Sequence, residues 1–293
     1  MNDIHREMFW RGVVDSPVST HELELIYNDA ATLISECDGL VITAGAGIGI
    51  DSGLPDYRGL LGFWRAYPGL WKYGMRFEEV ASPGMFKNAP RIAWGFYGHR
   101  LNLYRKTKPH AGFAALLKIA SQTPHGARVF TSNVDGQFQT AGFGPETITE
   151  CHGSIHYLQC IDQCGQPVWH AVALEPVIDE ETCTLLSELP TCPSCAGLAR
   201  PNIMMFDDPC WDQTRTIVQR ARLDAWLCRL KRPVVIEIGA GMAIPTVRWF
   251  GGHLDCPMIR INPNDATVGL KRNIAIPVKA LEGISTLLEK FIK

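Results

Sequence analysis

Leu40-Val41-Ile42-Thr43-Ala44 is an unbroken apolar run that ends directly in Gly45-Ala46-Gly47. A strand with one wet face would alternate; a continuous run is buried on both faces, as in parallel sheets covered by helices. Similar runs recur at Arg128–Thr131, Pro233–Ile238 and Met258–Ile261, with a shorter strand-like piece at Thr147–Thr149. Helical patterns lie beside them. Thr20 is a plausible N-cap for a helix to about Cys37, with Leu23, Ile26, Tyr27, Ala30, Leu33 and Ile34 on one face. Ala111–Ala120 and the stretch from Leu270 to Ile292 also read as helices. Strands alternating with helices imply an α/β fold: a doubly wound, Rossmann-like parallel sheet.

Two stretches interrupt the alternation. Residues 62–104 are rich in aromatics and helix formers, and residues 157–200 carry paired cysteines. Both read as insertions that together build a smaller module. The expectation is a single domain over 20–293, its Rossmann-like part made of roughly 20–61, 105–156 and 201–293. A net charge of −2 supplies no positive field for nucleic acid or an anionic membrane. Gly39–Ile50, the longest uncharged apolar stretch, is too short to span a bilayer, and Met1–Val14 has no apolar signal core. A soluble cytoplasmic protein is expected.

Where Gly45, Ala46, Gly47 and Ile48 leave the strand, absent side chains let backbone N–H groups approach a pyrophosphate. The glycine spacing is not that of the usual dinucleotide fingerprint, and a bare strand-to-helix turn is the alternative. The tail adds chemistry: Asp56, Tyr57 and Arg58 bring a carboxylate, a phenol and a guanidinium that could pair a phosphate. Ser132-Asn133-Val134-Asp135 follows the Arg128 run, where ligands of open α/β sheets bind; for Asn133 and Asp135, capping a helix from Val134 is the alternative. His152 ends the Thr147 piece and suits general-base work near neutrality. Cys151 should point to the opposite face, and no nucleophile elbow is present, so a hydrolase triad is not expected.

The ten cysteines suit a reducing compartment, where a disulfide framework is not expected. Four are paired at short spacing: Cys160 with Cys164, and Cys192 with Cys195. Two such pairs fit one tetrahedral zinc held by four thiolates, a closed and therefore structural site, with four free thiols as the alternative.

Taken together and in order, these segments resemble the sirtuins, the NAD-dependent protein lysine deacylases, over roughly residues 22 to 290. Gly45–Ile48 through Ser52-Gly53-Leu54-Pro55-Asp56-Tyr57-Arg58 resembles the cofactor loop, with Tyr for the more usual Phe. Ser132–Gly136 is similar to the second motif and His152-Gly153-Ser154 to the catalytic-histidine motif. The resemblance implies that NAD is consumed, that His152 is the general base on a ribose hydroxyl, that Asn133 orients the ribose and a water, and that Asp135 holds the nicotinamide amide. It implies further cofactor contacts from Gly239, Gly241 and Asn262, and an acylated lysine of a protein or peptide as substrate. That substrate would lie along Arg200–Phe206, with Ile203 and Phe206 in contact.

Tyr97-Gly98-His99-Arg100 has the Tyr-x-x-Arg form of sirtuins that remove succinyl and malonyl groups; a helix-surface pair is the alternative. The chain departs from the family pattern at Ser132, usually Gln, and at Gly239–Pro245, where a Gly-Thr-Ser-type segment is usual. It also lacks the glycine after Phe206, and Leu60 and Leu61 are bulkier than the residues common in the acidic-acyl subgroup. Two other readings remain open at this point: NAD glycohydrolysis or ADP-ribosyl transfer through the same first step, and a non-catalytic NAD-binding module.

Overall fold

A computed structural model describes residues 19–55, 66–269 and 273–292. The first helix, Thr20–Glu36, begins at Thr20 itself, so its cap lies one residue before the expected one. Ser19 is the N-cap: its hydroxyl accepts from Glu22 N–H at 3.2 Å, and the Glu22 carboxylate accepts from Ser19 N–H at 2.9 Å. This reciprocal pair satisfies two otherwise orphaned donors, which a lone threonine could not. Strand β1, Gly39–Ala44, follows and is buried along its whole length. Full burial of each of Leu40, Val41 and Ile42 is worth about 1.5–3 kcal/mol, so the run is a nucleus of the core.

The next strands are β2 (Ala127–Thr131), β3 (Ile148–Glu150), β4 (Gly153–Cys160), β5 (Trp169–His170), β6 (Ile178–Asp179), β7 (Thr184–Leu185), β8 (Ala199–Ile203), β9 (Pro233–Ile238), β10 (Met258–Ile261) and β11 (Ile274–Ile276). Six of them form one parallel sheet in the order β11-β10-β9-β1-β2-β3. Read from the other edge, this is the doubly wound order, and its direction reverses between β1 and β9. Helices Thr20–Glu36, Ala111–Ala120 and Ala280–Phe291 cover one face; Thr214–Leu227 and Thr246–Gly252 pack on the other.

The stretch from Leu270 is not one helix. Ile274–Ile276 is an edge strand, and the helix begins only at Ala280. Pro277 intervenes; it cannot donate within a helix, and it disfavours helical geometry at Ile276 before it. Helix Gln137–Thr140 likewise starts three residues after Val134, because Gly136 takes φ +74° as its N-cap.

A second, smaller body has its own core. Phe86, Trp94 and Tyr97 of the 66–106 helices pack with Cys183 and Leu185, and the Trp94 indole N–H donates to Ala199 O at 2.9 Å. A three-stranded antiparallel sheet, β5-β4-β8, carries the chain from the main sheet to the cysteine pairs and back. No helix among the described residues is long and apolar enough to cross a membrane.

Candidate active site

In an open parallel sheet the crevice for a ligand lies beyond the strand ends at the reversal point, here between β1 and β9. Gly45 and Gly47 stand at the first of these ends, Gly239 and Gly241 at the second. Gly45 N–H donates to Ile238 O and Gly47 N–H to Gly239 O, both at 3.0 Å. A Cβ on Gly47 would stand 2.7 Å from Gly239 Cα, and one on Gly45 2.8 Å from Ala240 Cα. The two glycines therefore exist first for contact between the loops. Their closest backbone neighbour is the β9 loop, which the pyrophosphate argument did not anticipate.

Ala46 is exposed, and Ile48 is buried under the 3-10 turn Ala46–Ser52. A cavity of about 90 Å³ opens between Gly47, Asp51, Gly239, Asn262 and Lys279. Asn262 is 1% exposed and spends its side chain on the backbone: Nδ2 donates to Ala240 O at 3.0 Å, and Oδ1 accepts from Asn264 and Asp265 N–H, each at 3.1 Å. It holds the floor of the crevice. Asp56, Tyr57 and Arg58, like Leu60 and Leu61, lie outside the described residues.

The end of β2 supplies the polar groups. Thr131 Oγ1 accepts from Asn133 N–H at 3.0 Å, and Asn133 Nδ2 donates to Gly45 O at 3.1 Å, which brings the second motif against the glycine loop. Ser132 N–H donates to Ala44 O, leaving its side chain half-buried at the same rim. Asp135 is buried. Its Oδ1 accepts from Gln137 N–H at 2.9 Å, the first N–H of the short helix whose N-cap is Gly136. Burial pushes its carboxyl up to about 6; the Gln137 N–H opposes this, Glu150 adds to it and the Arg100 guanidinium opposes it.

His152 sits in the turn between β3 and β4. Cys151 N–H donates to Thr131 O at 2.9 Å, and His152 O accepts from Met204 N–H at 3.0 Å. Gly153, at φ +79°, closes the turn against Asn202 O, where a Cβ would stand 2.1 Å away. The His152 Nε2 is buried with no hydrogen-bond partner among the described residues. Burial holds the imidazole below its ordinary range, so it is neutral at pH 7. Cys151 packs instead against the core around Phe130 and Phe250, consistent with opposite facing.

Ile203 and Phe206 flank the same turn. Ile203 ends β8, an edge strand paired only with β4 within its sheet. Phe206 N–H donates to Ala81 O at 3.0 Å, and its ring meets Phe77 edge-on at 5.8 Å. Tyr97 and Arg100 are not a helix-surface pair: they are 1% and 8% exposed. The Arg100 guanidinium lies among the rings of Phe96, Tyr97 and Tyr104, and its Nε and Nη2 donate to Tyr104 Oη at 3.0 and 2.8 Å.

The four paired cysteines converge. Their sulfurs lie within 4.8 Å of one another, with Cys160–Cys195 and Cys164–Cys192 each at 3.6 Å. A disulfide would need about 2.05 Å. Thiolates about 2.3 Å from a tetrahedral zinc stand roughly 3.8 Å apart, so the cluster fits that metal with no ligand position left for substrate.

The Sir2 family model matches residues 45–229. A protein of Thermococcus sibiricus named NAD-dependent protein deacylase is 31% identical over 271 residues, covering 89% of this chain and 95% of its own. The chain belongs to the Sir2 family. A protein of the same name from Aquifex aeolicus is 32% identical over 254 residues, covering 85% of this chain and 94% of its own. Among solved structures, a Sir2 homologue in complex with NAD aligns with a TM-score of 0.66 at 22% identity, over 89% of this chain and 92% of that one. The Sir2 fold is thus present along nearly the whole chain.

Two further polar groups of this Sir2 site were not singled out from sequence. Ser52 Oγ accepts from His110 N–H at 3.0 Å and donates to Gln137 Oε1 at 2.9 Å, tying the glycine loop to the Asp135 helix. Glu150, 1% exposed, anchors the strand before His152. Its charge, two residues from a candidate base at the end of an apolar strand, was the available signal.

Proposed function

We propose that the chain removes acyl groups from protein lysines with consumption of NAD, and that His152 is its general base. NAD, when bound, supplies the ribose from which nicotinamide departs and onto which the acyl group passes, giving nicotinamide, O-acyl-ADP-ribose and free lysine. The observation that carries the reading is the His152 ring: a neutral imidazole whose buried Nε2 has no partner among the described residues, held in a turn between the Asn133–Asp135 loop and β8. A base must be unprotonated and uncommitted to accept a proton, and both conditions are met.

The remaining residues take roles around it. Asn133, already anchored to Gly45, orients the ribose and a water. The Asp135 carboxylate accepts from the nicotinamide amide. Ser132, Gly239 and Gly241 line the cofactor side, and Asp56, Tyr57 and Arg58 supply further cofactor contacts. Ile203 and Phe206 border the substrate peptide, which adds to the β8 edge at its Ile203 end. The walls exclude bulk water from a cationic sugar. The Cys160, Cys164, Cys192 and Cys195 zinc holds the small module together and takes no part in the chemistry. Tyr97 and Arg100 favour an acyl group that ends in a carboxylate, a phenol and a guanidinium being suited to hold one.

The reading treats 20–293 as one catalytic domain whose small module comes from 62–104 and 157–200. Ten unpaired cysteines fit a reducing compartment, the cytoplasm. Incubation with NAD and an acyl-lysine peptide, followed by mass spectrometry, tests the reaction. O-acyl-ADP-ribose should form one-for-one with deacylated peptide; ADP-ribose and intact acyl-peptide would reject it.

A further inference from the structure

Glu150 is the last residue of β3 and stands two positions before His152. Its carboxylate accepts from Arg215 Nη2 at 2.8 Å, Gln139 Nε2 at 3.0 Å and Gln219 Nε2 at 3.2 Å. Its backbone is gripped as well. The N–H donates to Gln219 Oε1 at 3.0 Å, and the carbonyl accepts from Thr216 Oγ1 at 3.0 Å. Arg215, Thr216 and Gln219 all belong to the helix Thr214–Leu227, so one helix holds one residue by three side chains. A carboxylate 1% exposed costs several kcal/mol unless it is paired and fully bonded, and here it is both. Arg215 is itself seated, its guanidinium 3.5 Å from the centre of the Tyr157 ring.

The clamp reaches the candidate site by two routes. Along the chain, Glu150 leads directly into Cys151, whose N–H bonds Thr131 O, and into the His152 turn. Through space, Gln139 lies on the short helix Gln137–Thr140, whose first N–H donates to Asp135 Oδ1. One turn of helix therefore touches both buried carboxylates.

We propose that Glu150 is a positioning residue: gripped by Arg215, Gln219 and Gln139, it fixes the turn that carries His152 and balances the charge around the Asp135 pocket. The inference rests on the reading of His152 and Asp135 as the NAD site. Besides burial, the Gln137 N–H, Glu150 and Arg100 act on the Asp135 carboxyl, and His156 faces its backbone. Burial disfavours its charge most. Glu150 from β3 adds to that, and Arg100 from the helix Pro90–Lys106 opposes it. His156 from β4 places Nε2 2.9 Å from the Asp135 backbone oxygen, and burial lowers that imidazole, keeping it neutral. Arg215 pairs with the Glu150 carboxylate at 2.8 Å and so offsets its charge.

The two halves of the clamp therefore have opposite electrostatic effects. Glu150→Gln removes a negative charge near Asp135, so the carboxyl ionises more readily. Arg215→Met leaves Glu150 uncompensated, so it ionises less readily. The midpoint of the Asp135 carboxyl, followed by 13C NMR, should move down by roughly half a unit or more in the first variant, up by a similar amount in the second, and lie near wild type in the double variant. The acid limb of kcat/KM for NAD should move in the same directions.

A packing role alone would lower activity and leave the midpoints in place; unmoved midpoints, or midpoints that move together, overturn the inference. Thermal melts of all four proteins identify a variant that does not fold. If Arg215→Met is one, the Glu150→Gln midpoint alone decides. The NMR reading needs no turnover, so a wild-type protein that ignores NAD rejects the NAD reading while the carboxyl titration still judges the clamp.

Discussion

Gly47 and Gly239 meet backbone to backbone across the sheet's reversal point: Gly47 N–H donates to Gly239 O at 3.0 Å, and a Cβ on Gly47 would lie 2.7 Å from Gly239 Cα. Gly239 also takes φ +59°, which an L side chain adopts only with strain. Gly47→Ala should push the loops apart and cost about 1–3 kcal/mol, as overpacking against backbone does. NAD affinity should fall at least tenfold in the folded variant. Denaturant unfolding and an NAD titration check both; an alanine accepted without loss would mean that the loops are not held this closely.

The cysteine cluster predicts about one zinc per chain by elemental analysis of purified protein. Cys192 is a buried member of the cluster, so Cys192→Ser should release the metal. A strong chelator should lower Tm, each kcal/mol lost corresponding to roughly 2–4 °C for a chain near this size. Metal-free protein with an unchanged melt would remove zinc from the account.

Asp135 carries a sign that can be tested. Its carboxyl is pushed up to about 6 in the folded state, above its unfolded value, so the stability it contributes is complete in acid and is lost as pH rises through about 6. Asp135→Asn keeps an acceptor for Gln137 N–H and removes the buried charge. It should be more stable than wild type at pH 7 by on the order of 1–3 kcal/mol, with the gap closing towards pH 4. Turnover should collapse while the fold improves, the usual trade at a functional site.

Arg100 lies among three aromatic rings beside Tyr97, and its charge reaches Asp135. Rates on acetyl-, succinyl- and malonyl-lysine forms of one peptide measure its role. Arg100→Met should lower removal of the two acidic groups at least tenfold more than deacetylation, the loss expected for a bidentate carboxylate contact. Equal losses on all three would reduce Arg100 to packing.

Much of this architecture is legible in the chain because β1 is a continuous apolar run buried along its whole length, and β9 and β10 are apolar apart from Glu237 and Arg260, which pair with each other. Pro233–Ile238, Met258–Ile261 and Ala111–Ala120 fall at the residues where the pattern places them. The edge strand Ile274–Ile276 was lost in a helical reading because three residues are too few for either period to declare itself. The burial of Tyr97 and Arg100 was hidden too, since i,i+3 spacing does not say which face of a helix meets a second body. Glu150 depends on partners 65 and 69 positions away, a relation that no local pattern carries.

Nicotinamide release, with and without an acyl-lysine peptide, reads whether NAD cleavage is coupled to deacylation. Wild-type enzyme with NAD should release nicotinamide when the peptide is present and stay near background without it, and His152→Ala should abolish the product O-acyl-ADP-ribose while the protein stays folded. Release that ignores the peptide, or full O-acyl-ADP-ribose formation by His152→Ala, would contradict the deacylase reading.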